Sequence, residues 1–452
     1  MAAVSAVPEP TKIAILPNYE LFEARTICNQ TLNGHTESIY PQAGISDNVT
    51  GPITFTIKGT SDYIDFNKTY LYIRGKFKGA VKDPADGTKT IDIMDNSKPH
   101  FSYVNLFPHS LFKSVEAGIN NTCIASNQPN YPHIVNLQTI LNSNQATLEK
   151  YMRTAGWCKD AGEVDSSDPA KNDAHRIRFD RITAKKELFF TIDIATPLLQ
   201  LNKFLISECD VDIMLRKNDN PRFYMKHDAK GHVDFEITEA ILKVRKVTPT
   251  PEVVAAVQQY LTDVKPLTYV LDDPRIIITS VQKGETFIHR EYATLGHHPK
   301  RILVAMVDTE AYNGHPEKNP FNYQHFNVAK ITLTKNGMEY PTPPITPDFG
   351  NGNYIEAYRH FLASIQADKS PFVPDITPED FANGYFLTSW DMSPDQYGGD
   401  DPQMLVNRTA NIKLSIEFRR PLPKPITLIF YYQLESRLTI NQYRQITHEV
   451  IS

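Results

Sequence analysis

The sequence predicts an all-β protein built as two similar halves, and three observations lead to this prediction. Apolar residues alternate with polar residues over many short segments, which is the period of a half-buried strand. The 452 residues include 32 Pro and 22 Tyr, a composition typical of strands joined by long loops. One pattern, a strand followed by an Asn turn, a loop and an amphipathic helix, occurs once in each half.

The two copies of this pattern match element by element. The first has its strand at 113–119, its turn at Asn120-Asn121 and its helix at 131–141, and the second has them at 330–335, Asn336-Gly337 and 354–362. The recurrence predicts duplicated domains and not a solenoid, because a solenoid needs three or more units. Chance recurrence is the alternative, since Asn-Gly after an alternating strand is common.

Other segments of both halves also have the period or composition of strands. In the first half these are 53–57, 70–76, 188–194, 209–215 and 235–247, and in the second half 276–281, 302–307, 384–390, 412–418 and 426–432. The runs 276–281 and 302–307 are almost continuously apolar, which predicts strands buried on both faces. Eight strands with Greek-key connections, the jelly roll, are a favoured arrangement of such a set, and long uneven loops disfavour an up-and-down barrel.

Four regions follow from these patterns. Residues 1–50 are predicted to be an extended arm because Pro8, Pro10 and Pro17 in it break helices. It is either a disordered tail or an arm that orders against a neighbouring subunit. The first roll spans 51–248, a linker with a short helix spans 249–265, and the second roll spans 266–452. The stretches 79–100, 155–175 and 366–403 are polar and are predicted to be long exposed loops, the last interrupted by one strand.

Charge, cysteines and hydropathy disfavour several classes of protein. The formal net charge is -5 without a Lys/Arg-rich arm, which gives no support for direct sequence-specific nucleic-acid binding. No apolar run approaches membrane-spanning length, and the N-terminus lacks a signal peptide's basic region and apolar core. Cys28, Cys123, Cys158 and Cys209 have no zinc spacing. We expect buried free thiols in a reducing compartment, with disulfides as the alternative.

A search for catalytic motifs returns no specific constellation. The chain has no phosphate-binding loop and no G-x-S-x-G elbow. His297 and His298 are adjacent, so on a strand they point to opposite faces and would rarely bind one ion. The Asp-Asp-Pro turns at 272–274 and 400–402 lack the acidic spacing of a calcium loop. We therefore predict a protein that is not an enzyme, with no catalytic, cofactor or metal residues.

The segment 319–326 is polar but carries three aromatic rings, Phe321, Tyr323 and Phe326. One interpretation is a loop that these rings anchor onto its own sandwich. The other is a contact with a neighbouring subunit, because Tyr and Phe are enriched at protein interfaces. We predict the inter-subunit contact.

Short motifs follow one another in a fixed order from Gly51 to Thr439. They are GPITFTIKG at 51–59, DYID at 62–65, NLF at 105–107, LFKSVE at 111–116, INN at 119–121, VRKVTP at 244–249, KRILV at 300–304, NPF at 319–321, FNV at 326–328, GYF at 384–386 and NIKLSIEF at 411–418. No single motif is specific, but in this order they resemble the major capsid proteins of the Polinton (Maverick) and adintovirus group.

This resemblance implies a double jelly roll of two tandem eight-stranded rolls with short helices and long loops. It implies a homotrimer with a hexagonal outline that tiles an icosahedral virion capsid with neighbouring capsomers, single jelly-roll penton proteins and minor capsid proteins. Assembly would take place inside the host cell, without secretion. The loops at 79–100, 155–175 and 366–403 have no match in that group and are expected to form an outward tower.

Three other classes remain as alternatives. A capsid-like protein retained in a host genome would share the fold. A carbohydrate-binding or adhesin-like double sandwich would have an aromatic-lined groove and no trimer. A β-sandwich hydrolase would place two carboxylates in one cleft, a pair that cannot be chosen among 52 Asp and Glu residues without the fold.

Overall fold

The computed structural model of the chain describes residues 30–45, 51–82, 90–92, 101–125, 129–166, 171–183, 187–219, 225–227, 231–263, 266–292, 297–365, 367, 373–393 and 411–451. No helix among these residues is long and apolar enough to cross a membrane.

The first half of the chain consists mainly of strands. They are β1 Thr31–Ile39, β2 Ile53–Ile57, β3 Tyr63–Lys82, β4 Thr90–Asp92, β5 Phe101–Tyr103, β6 Phe112–Ile119, β7 Thr122–Ala125, β8 Leu188–Ile192, β9 Val211–Lys217, β10 Met225–His227 and β11 Gly231–Pro249. Its helices are α1 Phe107–Ser110, α2 Tyr131–Asn142 and α3 Asp173–Thr183, with a π-helical turn at Thr147–Tyr151 and a 3-10 turn at Met152–Ala155.

A helix, α4 Pro251–Thr262, leads into the second half. The strands there are β12 Leu267–Val281, β13 Phe287–Tyr292, β14 Arg301–Asp308, β15 Val328–Lys335, β16 Met338–Ile345, β17 Leu387–Asp391, β18 Ile412–Phe418, β19 Ile426–Ile440 and β20 Ile446–Val450. The helices are α5 Thr309–Tyr312, α6 Ile355–Ser364 and α7 Pro378–Ala382, with a 3-10 turn at Phe349–Asn351.

The strands form four large antiparallel sheets and one small sheet of β10 and β5. In the second half the strand orders are β12-β19-β14-β17, with β20 also beside β19, and β13-β18-β15-β16. In the first half they are β1-β11-β3, with β4 and β8 both paired to β3, and β2-β9-β6-β7. Eight strands of each half make up the two sheets of its roll. In chain order they are β1, β2, β3, β6, β7, β8, β9 and β11 in the first half and β12 to β19 in the second. In each half the first, eighth, third and sixth of these strands form one sheet and the other four form the second. This order defines a jelly roll, and it is the same in both halves.

The predicted duplication and the double jelly roll are therefore confirmed. Strand β1 lies inside the range 1–50 that the sequence predicts to be an arm. It pairs with β11 along Thr31–Pro249 to Ile39–Leu242, so it is the first strand of the first roll. The predicted start of that roll at residue 51 is one strand too late. Residues 1–29 of the predicted arm lie outside the described residues.

Alternating burial explains why the strands form and face each other. In β18, Ile412, Leu414 and Ile416 are fully buried while the residues between them are partly exposed. Burying each such side chain contributes about 1.5–3 kcal/mol. Aromatic rings fill much of the first roll, with Phe77 and Phe235 4.9 Å apart between centroids. The buried hydrophobic residues of the two rolls form one continuous cluster.

Both copies of the sequence pattern adopt the predicted turn and helix. The φ angles are 46° at Asn120, 65° at Asn121, 50° at Asn336 and 86° at Gly337, as a tight hairpin with a type I′ turn requires. Helices α2 and α6 follow in the predicted places. The loop predicted directly after Gly337 is not found at 338–345, because these residues form the edge strand β16. Edge strands tolerate the Pro residues that this segment contains.

Two predictions of burial are also wrong. The stretch 155–175 is not simply an exposed loop, because Trp157, Asp160 and His175 in it are buried. The run Ile276–Ile278 is not buried on both faces but half-buried, because β12 is an edge strand. By contrast, β14 is buried along its whole length, as predicted. The outward tower expected from the loops at 79–100, 155–175 and 366–403 stays a prediction.

Candidate assembly surfaces

The two rolls meet at a junction centred on the carboxylate of Asp160. Its Oδ1 accepts hydrogen bonds from Asn172 Nδ2 at 3.0 Å and Arg178 Nη2 at 2.5 Å. Its Oδ2 accepts from Asn105 Nδ2 and from Asn319 Nδ2, both at 3.2 Å. Asn319 belongs to the second roll and the other four residues to the first, so this carboxylate joins the rolls.

The ion pair at the centre of the junction is buried. The side chains of Asp160 and Arg178 are each 3% exposed. Burial by itself lowers the pKa of the Arg178 guanidinium, but the charge and hydrogen bond of Asp160 outweigh burial and raise that pKa above its ordinary value. The guanidinium therefore stays charged, and removal of Asp160 would leave it buried without its ion-pair partner.

The residues next to Asp160, which we call the junction segment (157–166), hold the second roll at further points. Asp165 accepts hydrogen bonds from the backbone N–H of Asn319 at 2.7 Å and from Asn322 Nδ2 at 2.6 Å. Lys159 Nζ lies 2.7 Å from an Asp380 oxygen. Charged groups on both rolls thus fix their relative position.

The three rings proposed as an inter-subunit contact lie at or near this junction. Phe321 packs its edge against His133 of α2, with 5.2 Å between ring centroids. The Tyr323 hydroxyl donates to Asn136 Oδ1 of α2 at 3.1 Å. Both rings are buried within the chain, as expected for a loop that its own rings anchor, and their contact with a neighbouring subunit stays a prediction.

Phe326 differs from the other two rings because it is only half-buried. The Lys424 ammonium lies over its ring at 5.7 Å from the centroid. A contact of Phe326 with another subunit stays a prediction.

A cleft of about 830 Å³ opens beside the junction. It is lined by Gly162, Glu163, Val164, Asp165, Ser166, Asn322, Gln324, His325, Phe326, Asn327, Ala382, Asn383, Gly384, Arg420, Pro421, Pro423 and Lys424. Asp165 already binds Asn322, and Lys424 forms an ion pair with Asp308 at 2.7 Å. These charged groups are engaged in holding the chain together.

Asp308, behind this cleft, accepts from two lysines. Burial by itself raises the pKa of its carboxyl, but hydrogen bonds from Lys318 and Lys424 outweigh burial and lower that pKa. In the part of the chain that the structure describes, no group of three or more His, Cys, Asp or Glu side chains is placed to hold a metal ion.

Each sheet of a roll has an inner face toward the core of that roll and an outer face directed away from it. One such outer face belongs to the second-roll sheet β12-β19-β14-β17. Phe430 of β19 stacks on Tyr292 of the opposite sheet at 3.8 Å, so Phe430 faces the core and its neighbour Tyr431 faces outward. Leu303 and Ser389 lie in the same row as Tyr431. All three are buried, so this outer face is covered.

The first roll supplies part of that cover. Helix α2 is buried from Tyr131 to Leu141 and lies against β12, and its Gln138 side chain lies near the Tyr431 hydroxyl. Helix α6 of the second roll covers the same face at β17, where Ser364 Oγ and Ser389 Oγ are hydrogen-bonded.

The corresponding outer face of the first roll, on the sheet β1-β11-β3-β8, is open. We call it the open face and define it by Tyr70, Tyr72, Arg74, Phe189 and Thr191. Tyr72 stacks on Phe189 with 6.3 Å between centroids, and Arg74 lies 5.6 Å above the Phe189 ring. Phe189 is 42% exposed and the other four residues are half-buried.

The fold and these surfaces define a double jelly-roll protein. Similar solved structures are a chain of the Sputnik virophage determined by cryo-EM (TM-score 0.65, 12% identity, 99% of this chain and 94% of that chain) and the Faustovirus major capsid protein (0.58, 9%, 97% and 93%). The mavirus major capsid protein is a third (0.55, 11%, 100% and 96%).

Sequence comparison finds a similar protein of a different kind. An uncharacterized protein of Caenorhabditis elegans is 20% identical over 382 residues, which cover 82% of this chain and 87% of that protein. No family model matches the chain.

Proposed function

We propose that this chain is a structural major capsid protein that forms trimeric, pseudo-hexameric capsomers of an icosahedral viral shell. The observation that carries the proposal is the likeness of the whole double roll to the major capsid proteins of mavirus and Faustovirus. The order of motifs from Gly51 to Thr439 supports a place in the Polinton (Maverick) and adintovirus group.

The mechanism follows from the two rolls. Three chains bring six similar rolls together, and six rolls approximate a hexagon that can pack beside identical hexagons. Each contact between chains is weak, but symmetry repeats it many times across a shell. Neighbouring capsomers, single jelly-roll penton proteins and minor capsid proteins are the partners that such a shell requires, and its place is the virion capsid.

The open face gives this proposal a physical basis within the chain. Aromatic and Arg side chains are enriched where proteins bind each other, and Tyr72, Arg74 and Phe189 lie together on that face. The junction around Asp160 complements it, because it keeps the two rolls of one chain in a fixed relation.

A capsid-like protein retained in a host genome is the second candidate. The relative in Caenorhabditis elegans, an animal, favours it. Both candidates share the fold, and they differ in whether the chain assembles into shells in cells.

Light scattering on the purified full-length chain, followed by negative-stain electron microscopy, tests the proposal. We expect the mass of three chains, hexagonal outlines and, at higher concentration, shells. A monomer at every concentration and salt would overturn the capsomer proposal. A trimer that never forms shells in expressing cells would favour the host-retained candidate.

A further inference from the structure

The two rolls have the same strand order, but the outer faces of their equivalent sheets differ in burial. On the second roll, Tyr431, Leu303 and Ser389 form a buried row. On the first roll, Tyr72 and Thr191 form a row that is half-buried, and the neighbouring Phe189 is 42% exposed. One fold, used twice in a chain, therefore leaves one of its two equivalent faces open.

The covered face shows what kind of element fits against such a sheet. Helix α2, which follows β7 in the first roll, lies against β12 of the second roll, and its Gln138 lies near Tyr431 of β19. The contact is directional, because the first roll supplies the helix and the second roll supplies the sheet. A contact of this kind between two different surfaces can repeat from chain to chain and close a ring.

We infer that the open face is covered by the second roll of a neighbouring copy of this chain, in a head-to-tail contact that repeats the contact between the rolls within a chain. This inference rests on the proposed capsomer. In a ring of six rolls, the second roll of one chain stands beside the first roll of the next. The same type of contact then occurs at every boundary between rolls.

Helix α6 is the element that we assign to the open face of the neighbour. It follows β16 in the second roll as α2 follows β7 in the first. Its inner side, with Ala357, Phe361 and Ser364, is buried, whereas Ile355 is 55% exposed. Helix α2, by comparison, is buried along almost its whole length, so α6 lacks the cover that its counterpart has.

The chemistry of the open face suits a protein partner. Tyr72 and Phe189 provide flat apolar area, and Arg74 forms an ion pair with Glu187 while it lies over the Phe189 ring. Burying Phe189 against an apolar residue such as Ile355 removes both side chains from water, which favours association. Such central aromatic residues carry much of the binding free energy of an interface.

The first test is Phe189→Glu in the full-length chain, with Phe287→Glu as its matched control. Phe287 is 52% exposed and lies on β13, in the other sheet of the second roll. By light scattering, we expect Phe189→Glu to lower the trimer fraction about tenfold or more at a concentration where the parent is trimeric. We expect Phe287→Glu to remain trimeric. Circular dichroism and thermal unfolding check that both variants fold like the parent.

The second test is disulfide trapping with Tyr72→Cys and Ile355→Cys. A chain with both substitutions should yield covalently linked trimers under mild oxidation, and each single variant should yield none. The parent chain controls for its own cysteines, of which Cys123 is exposed. Covalent dimers of the Tyr72→Cys variant alone would mean that two open faces meet each other, which overturns the head-to-tail contact.

The outcomes separate this inference from the proposed function. If the parent forms trimers and shells and Phe189→Glu does so equally well, the open face is not the contact, while the capsid role stands. If the parent forms neither trimers nor shells, the proposed function and this inference both fail.

Discussion

The junction around Asp160 and the open face around Phe189 are both surfaces of the first roll, but their chemistry differs. The junction is polar and buried, with a charged pair and three Asn side chains that donate to the Asp160 carboxylate. The open face is aromatic and partly exposed. Hydrogen-bonded charges favour one defined geometry, whereas exposed aromatic area favours association. The chain thus fixes its two rolls with polar groups and leaves apolar area for partners.

The largest effect is expected from Asp160→Ala, which leaves the Arg178 charge buried without its partner. We expect the free energy of unfolding to fall by about 3 to 5 kcal/mol, measured by urea denaturation. Phe189→Glu should change it by no more than about 0.5 kcal/mol, as is usual for surface substitutions. Equal effects of the two substitutions on unfolding would remove the distinction between the surfaces.

A control for Asp160→Ala comes from the same helix as Arg178. Asp180 and Arg176 form an exposed pair at 3.6 Å on α3. Exposed pairs contribute little because water and salt screen them, so Asp180→Ala should leave the denaturation midpoint unchanged. A clear loss of stability there would mean that the helix, and not the buried carboxylate, is the sensitive element.

The next largest effect separates two rings of the segment 319–326. Phe321 is buried against His133, so Phe321→Ala should lower the free energy of unfolding by about 3 kcal/mol or more through the cavity it leaves. Phe326 is half-buried, so Phe326→Ala should cost clearly less in the same urea titration. If Phe326 is an inter-subunit contact, its removal should lower the trimer fraction instead. A reversed order of the two stability losses would contradict the burial of Phe321.

The junction should also respond to pH through His133. Burial lowers the pKa of this imidazole from 6.5 to about 4, so the unfolded chain binds a proton that the folded chain does not. Stability should therefore be full above about pH 6.5 and fall as the pH drops toward about 4, by roughly 3 kcal/mol from this residue. Urea denaturation at several pH values measures the slope.

His133→Gln is the variant that assigns this slope, because it removes the titrating group. Its slope between pH 6.5 and 4 should be shallower than that of the parent. Some slope should persist, because burial also lowers the pKa of His109 to about 3 and that of His325 to about 4. Identical slopes for variant and parent would exclude His133 as the source.

The sequence predicts some of the strands and turns of this fold and not others. Strands with a buried face, such as β2 and β18, have a clear period and were predictable. Strand β1 was missed because most of its residues are exposed on both faces, so no alternation exists to detect. Turn residues with positive φ, Asn120 and Gly337, were readable from residue type alone.

The candidate site was less predictable, for a different physical reason. Asp160 lies in a polar stretch that resembles an exposed loop, and its partners Asn105, Arg178 and Asn319 come from three other segments. A buried charge can be identified only from the residues that pair with it. A single sequence does not show which residues, far apart along the chain, form such a pair. The exposure of Phe189, inside the run Leu188-Phe189-Phe190, likewise depends on whether a second element covers the sheet.

The smallest expected effect comes from one hydroxyl at the junction. Tyr323→Phe removes the donor to Asn136 Oδ1 and keeps the ring, so the packing stays and one hydrogen bond is lost. We expect a loss of about 1 to 3 kcal/mol in the free energy of unfolding, because the Asn136 oxygen stays buried. Tyr443→Phe, on a tyrosine that is 75% exposed, is the matched control and should have no effect, because water replaces the lost partner. If Tyr323→Phe leaves the free energy of unfolding unchanged, the junction depends on its charged pair and its apolar contacts and not on each polar bond. The difference in chemistry between the junction and the open face would then be smaller.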